Sequence, residues 1–229
     1  MLTRRSFVRI MAGLSTGLVP ALAANEREKK SVQGDHHSHE VTPAEDLMRE
    51  HGALNRMLLI YEAALNDLLE GGEAHRTVIL ENAKLIRRFI EEYHAKLEED
   101  HLFPCFRKAG KLVSSVEVLE AQHKAGNKLT DTIVSATESD RSLSAGRDEL
   151  TKALSGFIRM FRPHEAREDT ILFPAFRSIV SEREYRSLGE QFEETEHKPF
   201  GEGGFGGIVE QIAKLENRIG IYDLAQFTR

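Results

Sequence analysis

Apolar side chains recur every three to four residues along most of the chain, which is the period of one face of an α-helix. In the first such segment they are Leu47, Met48, Leu54, Leu58, Leu59, Ala63, Leu65 and Leu68. Three more segments repeat the pattern at about 73–101, 113–136 and 143–169. Thr42, Pro43 and Glu45 are typical of a helix start, and Pro104 and Pro174 are expected to end the second and fourth helices. The pattern predicts four helices joined by short connections, as in an up-down-up-down four-helix bundle.

Two shorter periodic segments follow the predicted bundle, at about 181–197 and 208–218. Ser181 and Glu184 have the spacing of a capping box at the start of the first segment. A run of glycines at 201, 203, 204, 206 and 207 predicts a hinge before the second. The sequence therefore indicates an all-α fold, with a four-helix bundle over residues 43–178 and additional helices in a C-terminal extension over residues 179–229.

The first 23 residues have the composition of a cleaved export signal. A basic segment containing Arg4 and Arg5 precedes an apolar run at 10–19, which is too short to span a bilayer. The arginine pair with Phe7 resembles the twin-arginine export motif, and a chance pair in an ordinary signal is the alternative. We expect residues 1–23 to be a twin-arginine signal peptide that directs the protein to the periplasm, by a route that generally carries folded, often cofactor-loaded proteins.

Residues 24–42 are polar and unpatterned, which predicts a flexible linker. Within it, His36, His37 and His39 are either loose ligands for a divalent metal or part of a solvated spacer. The net charge of the chain is −6, so nucleic acid is not an expected partner. Cys105 is the only cysteine, which excludes an intramolecular disulfide and leaves stability to core packing and bound metal.

One short phrase occurs twice in the chain, as HAKLEEDHLFPCF at 94–106 and as HEAREDTILFPAF at 164–176. Residues four apart lie on one face of a helix, so His94 points with Glu98 and His164 points with Glu168. Apolar neighbours place that face toward the bundle interior, where an unpaired carboxylate costs several kcal/mol. Two buried carboxylates among histidines therefore predict a bound cation.

The repeat extends to the first helix of each half, where His51 matches His123, 72 residues later. The two halves together supply four imidazoles and two carboxylates as predicted metal ligands: His51, His94, Glu98, His123, His164 and Glu168. Nitrogen and oxygen ligands inside a four-helix bundle are typical of non-haem di-iron carboxylate sites. We expect two iron ions bridged by the glutamates and capped by two histidines each, with manganese or zinc as alternatives. Phe103 and Phe173 are expected to be core residues that also keep water from the site.

These residues resemble the hemerythrin-like, HHE cation-binding family. The resemblance covers about residues 44–176, and the doubled H-x3-E-[ED]-x2-L-F-P phrase is specific to it. It implies a four-helix bundle with a di-iron centre that binds oxygen, nitric oxide or peroxide. The doubled His-x3-Glu arrangement is closer to the hemerythrin-like iron sensors and to the iron-centre repair proteins than to the blood oxygen carrier.

The sequence departs from the pattern of the oxygen-carrying hemerythrins at two points. Those proteins place two histidines four apart on the third helix, whereas Leu119 stands four residues before His123 here. They also have an aspartate five residues after the last histidine, where Asp169 is an alternative ligand to Glu168. Candidates for a seventh ligand are Glu120 and His101. One ligand fewer implies a more open metal pair.

The expected function is that of an exported di-iron protein that binds, senses or buffers O2 or a related small oxidant. No catalytic acid, base or organic-cofactor motif accompanies the six residues, which favours binding over catalysis. The alternatives are a di-iron oxidoreductase acting on peroxide or nitric oxide, an iron storage or delivery protein, and a metal-free interaction module.

Overall fold

The computed structural model describes residues 41–72, 75–138, 143–200 and 203–228. These ranges contain six helices and no strand: α1 (Pro43–Leu69), α2 (76–109), α3 (Val113–Glu138), α4 (143–176), α5 (Glu182–Phe200) and α6 (Gly204–Ile219). A short 3₁₀ turn, Leu224–Thr228, follows. The predicted signal peptide at 1–23 and the linker histidines His36, His37 and His39 lie outside the described residues.

Helix α1 begins where the sequence predicts it. The Thr42 side chain accepts a hydrogen bond from the Glu45 amide at 3.3 Å, and the Glu45 carboxylate accepts one from the Thr42 amide at 3.0 Å. Pro43 stands in the first turn, where its missing amide hydrogen has no partner to lose. The capping box therefore sets the start of the bundle, eight residues before His51 on the same helix.

The first four helices form the predicted bundle. Helix α1 packs against α2 and α4, and α3 packs against the same two helices. The core between them is built from aliphatic and aromatic side chains, among them Tyr61, Phe89, Phe157 and Phe176, each essentially without solvent exposure. No helix in the described part of the chain has the length and apolar character needed to cross a membrane.

Helices α2 and α4 do not end at their prolines, contrary to the expectation from the sequence. A π-helical turn, Glu98–Leu102, precedes Pro104, and the matching turn Glu168–Leu172 precedes Pro174. A proline ring clashes with the carbonyl four residues earlier in a regular α-helix, and the wider π turn removes this conflict. The helices then continue as Phe103–Ala109 and Phe173–Phe176.

The C-terminal extension forms two helices that pack on the outer side of α1 and α2. Helix α6 begins at Gly204, so three of the glycines predicted to form a hinge lie in its first turns. The Phe205 ring explains this start, because it packs 6.1 Å from the Phe89 ring and beneath the Arg49 guanidinium. Further along α6, Glu216 accepts hydrogen bonds from the Arg56 guanidinium of α1 at 2.8 and 2.5 Å.

Candidate metal centre

The structure brings all six predicted ligand residues to one place inside the bundle. Helix α1 supplies His51, α2 supplies His94 and Glu98, α3 supplies His123, and α4 supplies His164 and Glu168, all of them buried. Their ligand atoms form two overlapping groups able to hold a metal ion, one of His51, His94 and Glu98 and the other of Glu98, His123, His164 and Glu168, with atoms within 4.8 Å of one another. Glu98 belongs to both groups.

The four imidazoles are arranged as two pairs. The rings of His51 and His94 have centroids 4.7 Å apart, and those of His123 and His164 have centroids 5.0 Å apart. The Nε2 atoms of His51 and His94 are 3.0 Å apart. Two nitrogens that bind one ion at right angles, each at about 2.1 Å, would also lie about 3 Å apart. The pair therefore fits one ion without rearrangement.

Each glutamate lies between the two histidine pairs. The Glu98 Oε2 atom is 3.7 Å from His94 Nε2 and 3.4 Å from His123 Nε2. In the other half, Glu168 Oε2 is 3.4 Å from His51 Nε2 and 3.0 Å from His164 Nε2. Because each carboxylate approaches one ring of each pair, both occupy positions from which they can bridge two ions.

The outward Nδ1 atom of every ring faces an oxygen from a neighbouring helix. His94 Nδ1 lies 2.6 Å from Glu50, and His164 Nδ1 donates to the Gln122 amide oxygen at 2.9 Å. His51 Nδ1 lies 2.7 Å from Asp169, and His123 Nδ1 lies 3.1 Å from Glu99. These four side chains, each with an oxygen as hydrogen-bond acceptor, form an outer ring of Glu50, Glu99, Gln122 and Asp169. Such contacts orient a metal-binding imidazole and hold its proton on the outward nitrogen.

The inner carboxylate oxygens lack hydrogen bonds. None of the four oxygens of Glu98 and Glu168 accepts a hydrogen bond, although both side chains are fully buried. A neutral imidazole whose proton is on Nδ1 presents only a lone pair at Nε2, so the carboxylates face further acceptors. Acceptors that converge in a dry interior need positive charge between them, either protons or metal ions.

The pKa values of the surrounding groups show where protons bind in this cluster. Burial opposes protonation of His123, but the nearby carboxylates of Glu98 and Glu99 raise its pKa to about 10. Hydrogen bonding to His123 in turn lowers the pKa of Glu99 to about 2. In the other pair, burial lowers the pKa of His94 to about 4 and raises that of Glu50 to about 8. At His123 the additional proton lies on the nitrogen that faces Glu98, where a metal ion would bind, and metal binding would release it.

Two phenylalanines cover the cluster in equivalent ways. The Phe173 ring stacks on His51 with centroids 5.3 Å apart, and the Phe103 ring stacks on His123 with centroids 5.7 Å apart. Both phenylalanines are buried and stand directly after the π turns that begin at Glu98 and Glu168. The repeated Leu-Phe-Pro phrase thus places an apolar cover beside one histidine of each pair.

A comparison with known protein families identifies the family to which this domain belongs. The hemerythrin HHE cation-binding domain matches residues 42–176, which contain all four bundle helices and all six inner residues. The chain belongs to this family. Its HHE domain therefore binds metal cations, and the buried histidine and glutamate cluster is the place in the described residues that is able to hold them.

Three similar proteins extend the match beyond the HHE domain. They come from Mycobacterium bovis and from two strains of Mycobacterium tuberculosis, and each carries the name of an uncharacterized protein. Each is 47% identical to this chain over 189 residues, which is 82% of this chain and 74% of the relative. No solved structure matches the chain.

Three residues that the sequence suggested as further ligands, Asp169, Glu120 and His101, lie outside the inner cluster. Asp169 turns to the outer nitrogen of His51, whereas Glu168 faces the inner nitrogens. The Glu120 carboxylate pairs with Arg107 and Lys124 on the surface. The His101 ring packs beside Phe192 of α5, with centroids 5.7 Å apart. Among the described residues, none of the three joins a group able to hold a metal.

The outer ring contains residues that sequence reasoning missed. Glu50 and Gln122 precede the first histidine of each half, and Glu99 follows the glutamate of the first doubled phrase as Asp169 follows that of the second. Adjacent residues on a helix are about 100° apart, which turns these side chains away from the inner cluster and toward a ring on the next helix. Their repeated positions were the available signal.

Proposed function

We propose that this protein binds two iron ions at the cluster and uses them to bind, sense or buffer O2 or a related small oxidant. The observation that carries the proposal is the set of four buried carboxylate oxygens, on Glu98 and Glu168, that accept no hydrogen bond. The Oε2 atom of each glutamate faces the Nε2 atom of one histidine from each pair. Nitrogen and carboxylate donors without thiolate suit non-haem iron, with manganese and zinc as competitors.

Two ions explain the cluster better than one. A single zinc ion is saturated by about four protein ligands, which would leave two buried polar side chains without a role. The structure instead divides the four rings into two pairs and places a glutamate between the pairs on each side. In the proposed centre each histidine pair holds one ion, and Glu98 and Glu168 connect the two.

The chain's own residues would control access to the centre. Iron supplies redox chemistry and a coordination position for a small ligand when it is bound. Leu119 is buried on α3 at the position where the oxygen-carrying hemerythrins are expected to have a further histidine. An ion held by His123 and His164 would therefore have one protein ligand fewer than the corresponding ion of those proteins. The stacked rings of Phe103 and Phe173 limit the entry of water.

Anaerobic iron loading tests this proposal. Metal-free protein titrated with ferrous iron is expected to saturate at about two ions per chain, because the cluster offers two histidine pairs. Admission of air should then produce a visible absorption band that disappears when O2 is removed. Glu98→Ala should reduce the bound iron to at most one ion, whereas the matched control Glu92→Ala, on the exposed side of the same helix, should retain two.

The same experiment separates the alternatives. Zinc or manganese in place of iron in protein purified from its own compartment would overturn the assignment of iron, because intrinsic affinity favours zinc at most such sites. Irreversible bleaching in air would contradict reversible binding. Repeated consumption of peroxide or nitric oxide with an added reductant, lost in Glu98→Ala, would favour the oxidoreductase. Transfer of the iron to a metal-free acceptor protein would favour storage or delivery.

We also propose that the protein is exported to the periplasm by the twin-arginine route. The support is the pair Arg4 and Arg5 before a short apolar run. Replacement of both arginines by lysine keeps the charge but removes the motif, and it should leave the protein in the cytoplasmic fraction. Replacement of Lys29 and Lys30 by arginine, outside the motif, is the control. Unchanged distribution of the double lysine variant would contradict the proposal.

A further inference from the structure

An open apolar groove lies between α3 and α4 on the surface of the bundle. Its volume is about 540 Å³, and its lining includes Ser115 and Val118 from α3 and Pro163, Arg167 and Ile171 from α4. The side chains of Val118 and Ile171 are 57% and 50% exposed. No other described element covers these two side chains, so a sizeable apolar surface faces solvent here.

The internal repeat relates this groove to a surface on the other half of the bundle. The 72-residue offset between His51 and His123 relates Ser115 to Pro43 and Val118 to Asp46. The 70-residue offset between the doubled phrases has three equivalent pairs in the groove: Pro163 with Tyr93, Arg167 with Leu97 and Ile171 with His101. Every lining residue named above therefore has a counterpart on α1 or α2.

Helix α5 occupies that counterpart surface. Gly189 of α5 lies against Pro43, where an added Cβ atom would be 3.5 Å from the proline ring. Phe192 of α5 lies against His101 and is 1% exposed. Thr195 lines one small cavity together with Tyr93, Leu97 and His101. A helix thus fills the groove of the first half, and the equivalent groove of the second half is open.

We propose that the open groove binds an amphipathic helix from a partner protein. By analogy with α5, this helix would present apolar side chains at the spacing of Tyr185, Leu188 and Phe192, which are buried on α5. This proposal concerns the protein surface and is independent of the metal proposed for the centre.

The charge of the groove specifies the partner further. Arg167 stands at the position that Leu97 has in the first half, where Leu97 lines a cavity with Thr195 of α5. The Arg167 guanidinium donates a hydrogen bond to the Pro163 carbonyl at 3.0 Å. In the described ranges, no carboxylate forms an ion pair with Arg167, so a partner helix with an acidic residue at the place of Thr195 would be complementary. A second copy of the chain is a poorer candidate, because its own α5 already packs against α1 and α2.

The groove also reaches the outer ring of the metal centre. Gln122 lines it, and the amide oxygen of Gln122 accepts the hydrogen bond from His164 Nδ1. A helix bound in the groove would therefore lie one side chain away from a predicted ligand. Partner binding and the state of the centre would be close enough to influence each other.

A synthetic peptide can act as the partner helix. The probe has the sequence of residues 181–200 with Thr195→Glu and a fluorescent label, and anisotropy measures its binding to the full chain. Saturable binding in the micromolar range is expected, and Ile171→Glu should weaken it by at least about tenfold, since the charge enters an apolar contact. Leu69→Glu, at a 67% exposed leucine at the end of α1, is the matched control and should bind as the wild type does.

The charge preference gives a second measurement. The unmodified peptide, with Thr195, should bind the wild-type protein several-fold more weakly than the glutamate probe, and Arg167→Leu should remove this preference. Absence of saturable binding up to about 1 mM, or equal binding by Ile171→Glu, would overturn the proposal. Sedimentation that shows a dimer dissociated by Ile171→Glu would also overturn it, because the groove would then bind a second copy.

Discussion

Asp169 shows how one residue outside the inner cluster can determine the state of a ring within it. Its Oδ1 atom lies 2.7 Å from His51 Nδ1, while the opposite nitrogen of the same ring faces His94 and Glu168. The aspartate keeps the ring in the tautomer whose inward nitrogen can bind a metal. A direct ligand role for Asp169, which the sequence left open, is therefore not needed to explain its position.

Removal of this carboxylate should weaken metal binding without unfolding the protein. Asp169→Ala is expected to lower metal affinity by about 10- to 100-fold, because outer partners of ligating histidines typically contribute that much. Competition with a chromophoric chelator measures the change. Asp131→Ala removes an exposed aspartate of α3 that pairs with Arg87, and it should leave affinity unchanged. Equal effects of the two variants would contradict the assigned role.

The clustering of the six inner residues could be predicted from the sequence, because they form three pairs of equivalent positions in the two halves of the chain. A doubled His-x3-Glu phrase on apolar helices is hard to explain without a cation, since burial of two carboxylates is costly. The partners of the outer nitrogens could not be assigned in the same way. Whether Glu50 meets His94 or another ring depends on the rotation of α1 against α2, which local periodicity leaves undetermined.

At the scale of elements, the contact between α3 and α4 depends on one glycine. A Cβ atom placed on Gly126 of α3 would lie 2.8 Å from the ring of Phe161 on α4. The Phe161 ring in turn lies 5.3 Å from His164 and 4.4 Å from Phe157. The absence of a side chain at 126 thus lets α3 approach the helix that carries half of the second histidine pair.

Substitution of this glycine should destabilise the fold. Gly126→Ala is expected to lower the free energy of unfolding by about 1–3 kcal/mol, because the buried Phe161 ring would have to move. Chemical denaturation followed by circular dichroism measures the loss. Gly52→Ala is the control, since no atom lies within 4 Å of the added methyl group and the helix gains propensity there. A neutral Gly126→Ala would show that α3 and α4 can separate at little cost.

Helix identity was predictable from apolar periodicity, but three helix boundaries were not. Pro104 and Pro174 predicted helix ends, whereas π turns before them let both helices continue. Gly204 begins α6 although glycine disfavours helices, because Phe205 and Ile208 are anchored in the core. In both cases a tertiary or local geometric adjustment outweighed the intrinsic preference of a residue.

At the scale of the whole molecule, the C-terminal extension packs against the first half of the bundle and stabilises it. The rings of Phe200 and Phe89 are 5.5 Å apart, and Phe200 and Tyr93 are 5.2 Å apart. Phe192 is inserted beside His101. The sequence predicted these helices but not the side of the bundle they would cover, since both halves offer related surfaces and the choice depends on residues such as Leu97 and Arg167.

Loss of the contact between α5 and the bundle should lower the stability of the fold but leave the metal content unchanged. Phe192→Ala is expected to lower the free energy of unfolding by about 3 kcal/mol, because it removes a large side chain that is 1% exposed. Metal analysis of the folded variant should still give the wild-type stoichiometry, because Phe192 contacts His101 and not the inner cluster. A folded variant that has lost its metal would show that the contacts of α5 also support the metal centre.

The outer ring is not the same in the two halves, and this makes the proposed ion positions electronically unequal. His51 and His94 face two carboxyl groups, Asp169 and Glu50, whereas the rings of the other pair face one carboxyl group, that of Glu99, and the neutral amide of Gln122. Carboxylate partners make an imidazole a stronger electron donor. Burial raises the pKa of Glu50 to about 8, so both partners of the first pair are carboxylates only above that pH. There, an iron held by His51 and His94 would have the lower reduction potential, and a one-electron oxidation would localise the ferric charge on it.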